Sequence, residues 1–173
     1  MARQREPAVA KAVTKEANAA LAHRNLRRAI RSEWVPEDGI QMLSVRTTVA
    51  IPVQLPRQLP GKWSVHLSWL FQPIPPDGEF ELLRSSFGLN VAGLARPATL
   101  EVRNLVRYDV DNGRPGPGDG ALGRHINVWQ PPPIDDHVHY PTLEYTTDPW
   151  NVDEVLSFFL SESLADDLDG RVG

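Results

Sequence analysis

The chain contains no cysteine, which excludes disulfides, thiol nucleophiles and cysteine-ligated zinc. It also lacks any apolar run long enough to span a bilayer as a helix. Its first residues, MARQREPAVAKAV, are basic but hold no continuous apolar core, so they do not read as a secretory signal. A cytoplasmic location with no membrane partner is the expectation. No internal repeat is visible. A glycine-rich stretch at 113–123 is not followed by Gly-Lys-Ser/Thr or by a helix start, and its Pro115 and Pro117 remove backbone donors that a phosphate would need. It reads as a loop, not as a nucleotide-binding turn.

What is present suits one ordinary domain. The chain has 173 residues, 41% of them hydrophobic and 23% charged, the balance of a globular protein. Sixteen prolines fall mostly between periodic segments and act as loop punctuation. The net charge of -4 conceals a gradient. Residues 1–32 hold eight Lys/Arg against two Glu, whereas 101–173 hold five basic against fourteen acidic residues. A basic head on an acidic body suits a nucleic-acid arm, or a head that packs on its own acidic tail or on an acidic partner.

Periodicity supplies the elements. Val9, Val13, Ala17 and Leu21 recur every four residues, followed by Leu26, Ile30 and Trp34, which predicts a helix over 8–31 ended by Trp34-Val35-Pro36 and Asp38-Gly39. Segment 44–55 alternates through Val45, Thr47, Val49, Ile51, Val53 and Leu55, and 62–71 alternates through Trp63, Val65, Leu67, Trp69 and Phe71. A period of two predicts half-buried antiparallel strands, with Pro52 at an edge or a bulge. Shorter strands are expected over 79–84, 86–92, 99–110, 125–130 and 137–145. A last helix starts at Asn151, where Asn151 and Glu154 form the N-cap and N3 pair of a capping box ahead of a broad apolar face. The predicted class is α+β: a single domain with a twisted antiparallel β-sheet of five to seven strands, an N-terminal helix and a packed C-terminal helix. Residues 1–40 form the basic helical segment of that scheme, and 41–173 form the body.

The residues able to carry chemistry gather in 105–156. His137 and His139 form a His-x-His on a strand, which places both imidazoles on one face within reach of one ion; Asp135, Asp136 or His125 could complete such a site. Chance surface histidines explain the same pattern, so no cofactor is assigned and a metal-dependent enzyme stands third among the readings. A metal-free set is preferred. Arg107 and Asp109 share a face of 99–110 with Glu101, Arg103 and Leu105. His125, Asn127 and Trp129 share a face of their strand, and His66 lies opposite the tryptophans of its own. If those faces coincide, His, Arg and Asp meet. That set can cleave RNA: a base takes the 2′-hydroxyl proton, an acid protonates the leaving oxygen and Arg neutralises the phosphorane. Arg107 would bind phosphate, His125 with His137 or His139 would serve as acid and base, and Asp109 would orient a His or the Arg. An ordinary polar sheet face with Arg–Asp pairs gives the same residues. Trp129 could stack a base there, or pack in the core.

This segment resembles the TumE-type toxins of bacterial toxin–antitoxin pairs. Arg107-Tyr108-Asp109 is similar to their Arg-aromatic-Asp-Asn strand end, with Asn112 two residues late. Asp136-His137-Val138-His139 is similar to their His-rich stretch, and 149–159 to the start of their terminal amphipathic helix. The likeness covers the C-terminal third to half of the chain. It leaves out the N-terminal helix and the 44–72 hairpin, and the loop is longer here. It implies a small toxin with an antitoxin partner, acting on RNA. A reading from another class is a non-catalytic assembly module, in which the basic helix and the acidic C-terminal region dock on a protein partner.

Overall fold

The computed structural model describes residues 7–76, 78–93, 103–111, 124–130, 136–141 and 151–172. Helix α1 spans Ala8–His23, and the strands follow as β1 Ile30–Glu37, β2 Ile40–Thr47, β3 Ile51–Pro52, β4 Lys62–Ile74, β5 Glu79–Ala92, β6 Arg103–Asp111, β7 Arg124–Gln130 and β8 Asp136–Pro141. Helices α2 (Val152–Phe159) and α3 (Glu162–Val172) close the order. The strands form one antiparallel sheet in the order β1-β2-β4-β5-β6-β7-β8, with β3 attached to β4 beside that path. The α+β class with terminal helices is therefore observed.

The first helix is shorter than its periodicity predicts. It ends where Asn25 adopts φ 57°, with Leu26 N donating to Leu21 O at 2.9 Å and Asn25 N to Ala22 O at 3.0 Å. Those paired bonds make a Schellman closure, which Asn tolerates in place of glycine. Ile30 and Trp34 belong instead to edge strand β1, turned into β2 by Asp38-Gly39 with φ of 50° and 79°. Glu37 pairs with Ile40, so the loop is two residues long, as expected for Asp-Gly in a hairpin. A spacing of four satisfies a period of 3.6 and a period of two alike, and pairing with β2 decided between them.

Three further expectations change in detail. Segment 44–55 is interrupted: β2 ends at Thr47, and Val49 is exposed before the two-residue β3 carries Pro52. The strands predicted over 79–84 and 86–92 are one strand, β5. A bulge there pairs Leu70 with Arg84 but Phe71 with Leu82, and the extra residue flips the alternation so that the sequence reads as a break. The last helix is two helices, because Ser161 Oγ accepts from Leu164 N at 3.2 Å and caps a new start. Asn151 caps α2 as expected, accepting from Glu154 N at 3.1 Å.

One core holds these layers together. The helix-facing side of the sheet carries Leu43, Val45, Val65, Leu67, Trp69, Phe71, Phe87 and Tyr108, all buried. Against it lie Ala10, Val13, Ala17 and Leu21 of α1, Val155, Leu156 and Phe159 of α2, and Leu164 and Leu168 of α3. A fully buried Leu or Phe contributes about 2 kcal/mol. The thin stripe of α1 is thus covered by the protein's own sheet and helices. Arg24 at its end reaches Asp153 and donates to Ser157 Oγ at 2.7 Å, and Arg57 pairs with Asp166 of α3. The basic head meets the acidic tail of the same chain. No helix among the described residues is long and apolar enough to cross a membrane.

Candidate functional site on the polar sheet face

Side chains alternate across a sheet, so the face turned away from the helices carries the partners of opposite parity. Register builds a row there across five strands. His66 of β4 pairs with Gly88 of β5, Gly88 with Arg107 of β6, Arg107 with Asn127 of β7, and Asn127 with His139 of β8. The next row places Asp109 opposite His125, and His137 stands opposite Trp129.

Hydrogen bonds tie the described members together. Asp109 Oδ2 accepts from Arg107 Nε and from Asn127 Nδ2, each at 2.6 Å. The Arg107 side chain is 34% exposed and that of Asp109 is 14% exposed, so the pair is half-sheltered and opens to solvent through Arg107. Such charge-assisted bonds are among the stronger ones, and they fix the direction of the guanidinium. With Nε occupied, the two terminal nitrogens of Arg107 point their donors elsewhere and have no partner among the described residues.

His66 joins the set from the other side of Gly88. Asn90 Nδ2 lies 3.3 Å from His66 Nδ1. Burial pushes the imidazole below its ordinary value of 6.5; the Asp109 carboxylate and the Asn90 bond oppose that shift, and the Arg107 charge adds to it. His66 is therefore neutral at pH 7. Two buried amide oxygens, Asn90 Oδ1 and Asn127 Oδ1, have no hydrogen-bond partner among the described residues. A buried acceptor without a donor is costly, and both are poised to receive one.

The conditional convergence of the sequence reading is met for His66, Arg107, Asp109 and Asn127. The backbones of His125, His137 and His139 occupy neighbouring register positions, but their side chains lie outside the described set. Glu101, Asn112, the 113–123 loop, Asp135, strand residues 142–145 and Trp150 also lie outside the described residues. Leu105 leaves the shared face: a bulge pairs Leu89 with Val106 but Asn90 with Asn104, and Leu105 is buried in the core cluster beside Val106. Arg103 is paired with Val91 in the register, and its side chain lies outside the described set. Trp129 is 3% exposed and belongs to the core cluster, which takes it away from base stacking. Among the described residues no group of three His, Asp or Glu is placed to hold a metal ion.

Sequence reasoning missed Asn90 and Gly88. Asn90 shares no recognisable spacing with His66, and only the pairing of β4 with β5 brings the two together. No protein-family model, no curated protein and no solved structure matches this chain.

Proposed function

We propose that the chain is a small toxin-like protein of the cytoplasm that acts on RNA through this polar face, and that an antitoxin protein restrains it. The supporting observation is the trio in which Arg107 and Asn127 both bond one oxygen of Asp109. It holds a guanidinium half-open, with terminal nitrogens that have no partner among the described residues and could serve phosphate neutralisation. In this reading Arg107 binds the scissile phosphate and Asp109 orients it. His125 with His137 or His139 are the acid and base. One imidazole takes the 2′-hydroxyl proton as O2′ attacks phosphorus, and the other protonates the departing 5′-oxygen.

The test is inducible expression in a bacterial host, with RNA integrity followed on gels. Wild type should arrest growth and fragment RNA, and Arg107→Ala at equal abundance should do neither. Full toxicity of Arg107→Ala or His139→Ala defeats the reading.

A second reading has its own support. Lys11 and Lys15 on α1, and Arg27, Arg28 and Arg31 beyond it, are all exposed. They form a basic surface suited to an acidic protein partner in an assembly role. Charge reversal at Lys11, Lys15 and Arg28 should then abolish co-purification of that partner, while histidine substitutions leave it intact.

A further inference from the structure

Beyond the polar row, the chain folds round a cavity at the start of β4. After β3 it runs out through Gln54 and turns back at Gly61 into Lys62. Val53 N donates to Trp63 O at 3.0 Å, Trp63 Nε1 to Pro60 O at 3.2 Å, and Leu59 N to Arg57 O at 3.0 Å. On the outer side Arg57 pairs with Asp166 of α3. The loop is thus tied at its base, within itself and to a helix. Together with β4 and the end of β5 it borders a cavity of about 710 Å³. Pockets of roughly 300–1,000 Å³ with apolar walls and a few polar groups suit small organic ligands.

The lining has that character. Val53, Leu55, Leu59 and Trp63 supply apolar wall, and Gln54, Gln58 and Lys62 supply polar groups. These three polar side chains are exposed, and none has a hydrogen bond or ion pair among the described residues. Arg57 differs, since Asp166 and Glu162 neutralise it. The cavity therefore presents two free primary amides, each a donor and an acceptor, and one unpaired positive charge.

Its place in the sheet matters too. Ser64 lines the cavity and pairs with Asn90, whose amide lies 3.3 Å from His66 Nδ1. Ser64 and His66 share a face of β4, roughly 7 Å apart along the strand. The cavity adjoins the polar row without including it.

We infer that this cavity binds one adenine nucleotide, with the base on the apolar wall against Gln54 and Gln58 and the phosphate at Lys62. The inference rests on the RNA reading above and names the nucleotide contact beside the proposed cleavage site. A glutamine amide matches adenine, accepting from N6 and donating to N7. Lys62 supplies the charge-assisted bond that a phosphate needs. Binding involves no covalent step.

The experiment is calorimetric titration of the whole protein with adenosine 5′-monophosphate in phosphate-free buffer. Adenosine and ribose 5-phosphate are the comparison ligands. The nucleotide should bind, adenosine should bind more weakly and ribose 5-phosphate most weakly. Lys62→Ala should lose about tenfold for the nucleotide and nothing for adenosine. The Gln54→Ala, Gln58→Ala double variant should lose about tenfold or more for both. Both side chains are exposed, so its thermal midpoint should match wild type. Ala92→Phe, which grows into the cavity from the end of β5, should abolish binding.

Absence of nucleotide binding overturns the inference, as does ribose 5-phosphate binding equal to that of the nucleotide. Undiminished nucleotide binding by the glutamine double variant or by a folded Ala92→Phe overturns it as well. Failure of the RNA reading looks different: the nucleotide binds with the expected dependence on Lys62, yet cells expressing the protein neither arrest nor lose RNA. Conversely, RNA cleavage that needs Arg107 in a protein that binds no nucleotide leaves that reading standing and removes this site.

Discussion

Arg107 and Asn127 stand opposite each other on β6 and β7, and both donate to the same oxygen of Asp109. One carboxylate oxygen therefore aligns two side chains that sit 20 residues apart in the chain. The carboxylate is the keystone of the polar face, and its removal has a defined cost.

Asp109→Asn should lower stability by about 1–3 kcal/mol, because it removes the charge opposite Arg107 and makes its charge-assisted bonds weaker in a half-sheltered place. If the proposed RNA reading holds, it should also abolish growth arrest. Urea denaturation and the growth assay check the two effects. Wild-type stability in this variant would show that the trio contributes nothing to the fold.

His66 sets a pH dependence. Its folded pKa lies below 6.5, so the unfolded chain binds the proton more readily than the native one. The stability tied to neutral His66 is complete above 6.5 and declines as pH falls from there through the folded pKa. His66→Gln should flatten the fall in stability on acidification below pH 6.5. Denaturation midpoints of both proteins across that range decide it.

Arg24 ties α1 to α2. Its hydrogen bond to Asp153 holds that carboxyl below its ordinary 3.8. The coupling is therefore present above pH 3.8 and is lost as pH falls through the depressed value. Asp153 is exposed, so the pair contributes on the order of 0.5 kcal/mol. A double-mutant cycle of Arg24→Ala with Asp153→Ala should show that coupling at pH 7 and none at the acid end. Coupling that persists in acid would contradict the assignment.

Tyr108 separates the aromatic ring from its hydroxyl. The ring stacks on Phe87 at 6.3 Å with planes 3° apart, and the buried hydroxyl has no partner among the described residues. Tyr108→Phe keeps the ring and removes an unpaired polar atom. It should leave stability unchanged or raise it by about 1 kcal/mol. A loss of stability above about 1 kcal/mol would mean that the hydroxyl is bonded.

Asn151→Ala removes the cap of α2 and should cost about 1 kcal/mol. This element was legible in the sequence because a cap is local: its donor lies three residues away. The alternating strands β4 and β7 were legible for the same reason, since burial of one face writes a period of two into the chain. So was the exclusion of thiol chemistry, which follows from composition alone.

Tertiary structure decided what local pattern leaves ambiguous. Ile30 and Trp34 fit a helix and a strand equally, and only the partner strand β2 made them β1. The site depends on register, and register is set by two bulges, at Leu70/Phe71 and at Leu89/Asn90. Each bulge moves residues between the core and the polar face without altering composition. Shifting the pairing by one residue would turn Arg107 into the core and leave His66 facing no partner. Alternation determined that such a face exists; pairing between strands distant in sequence determined which residues meet on it.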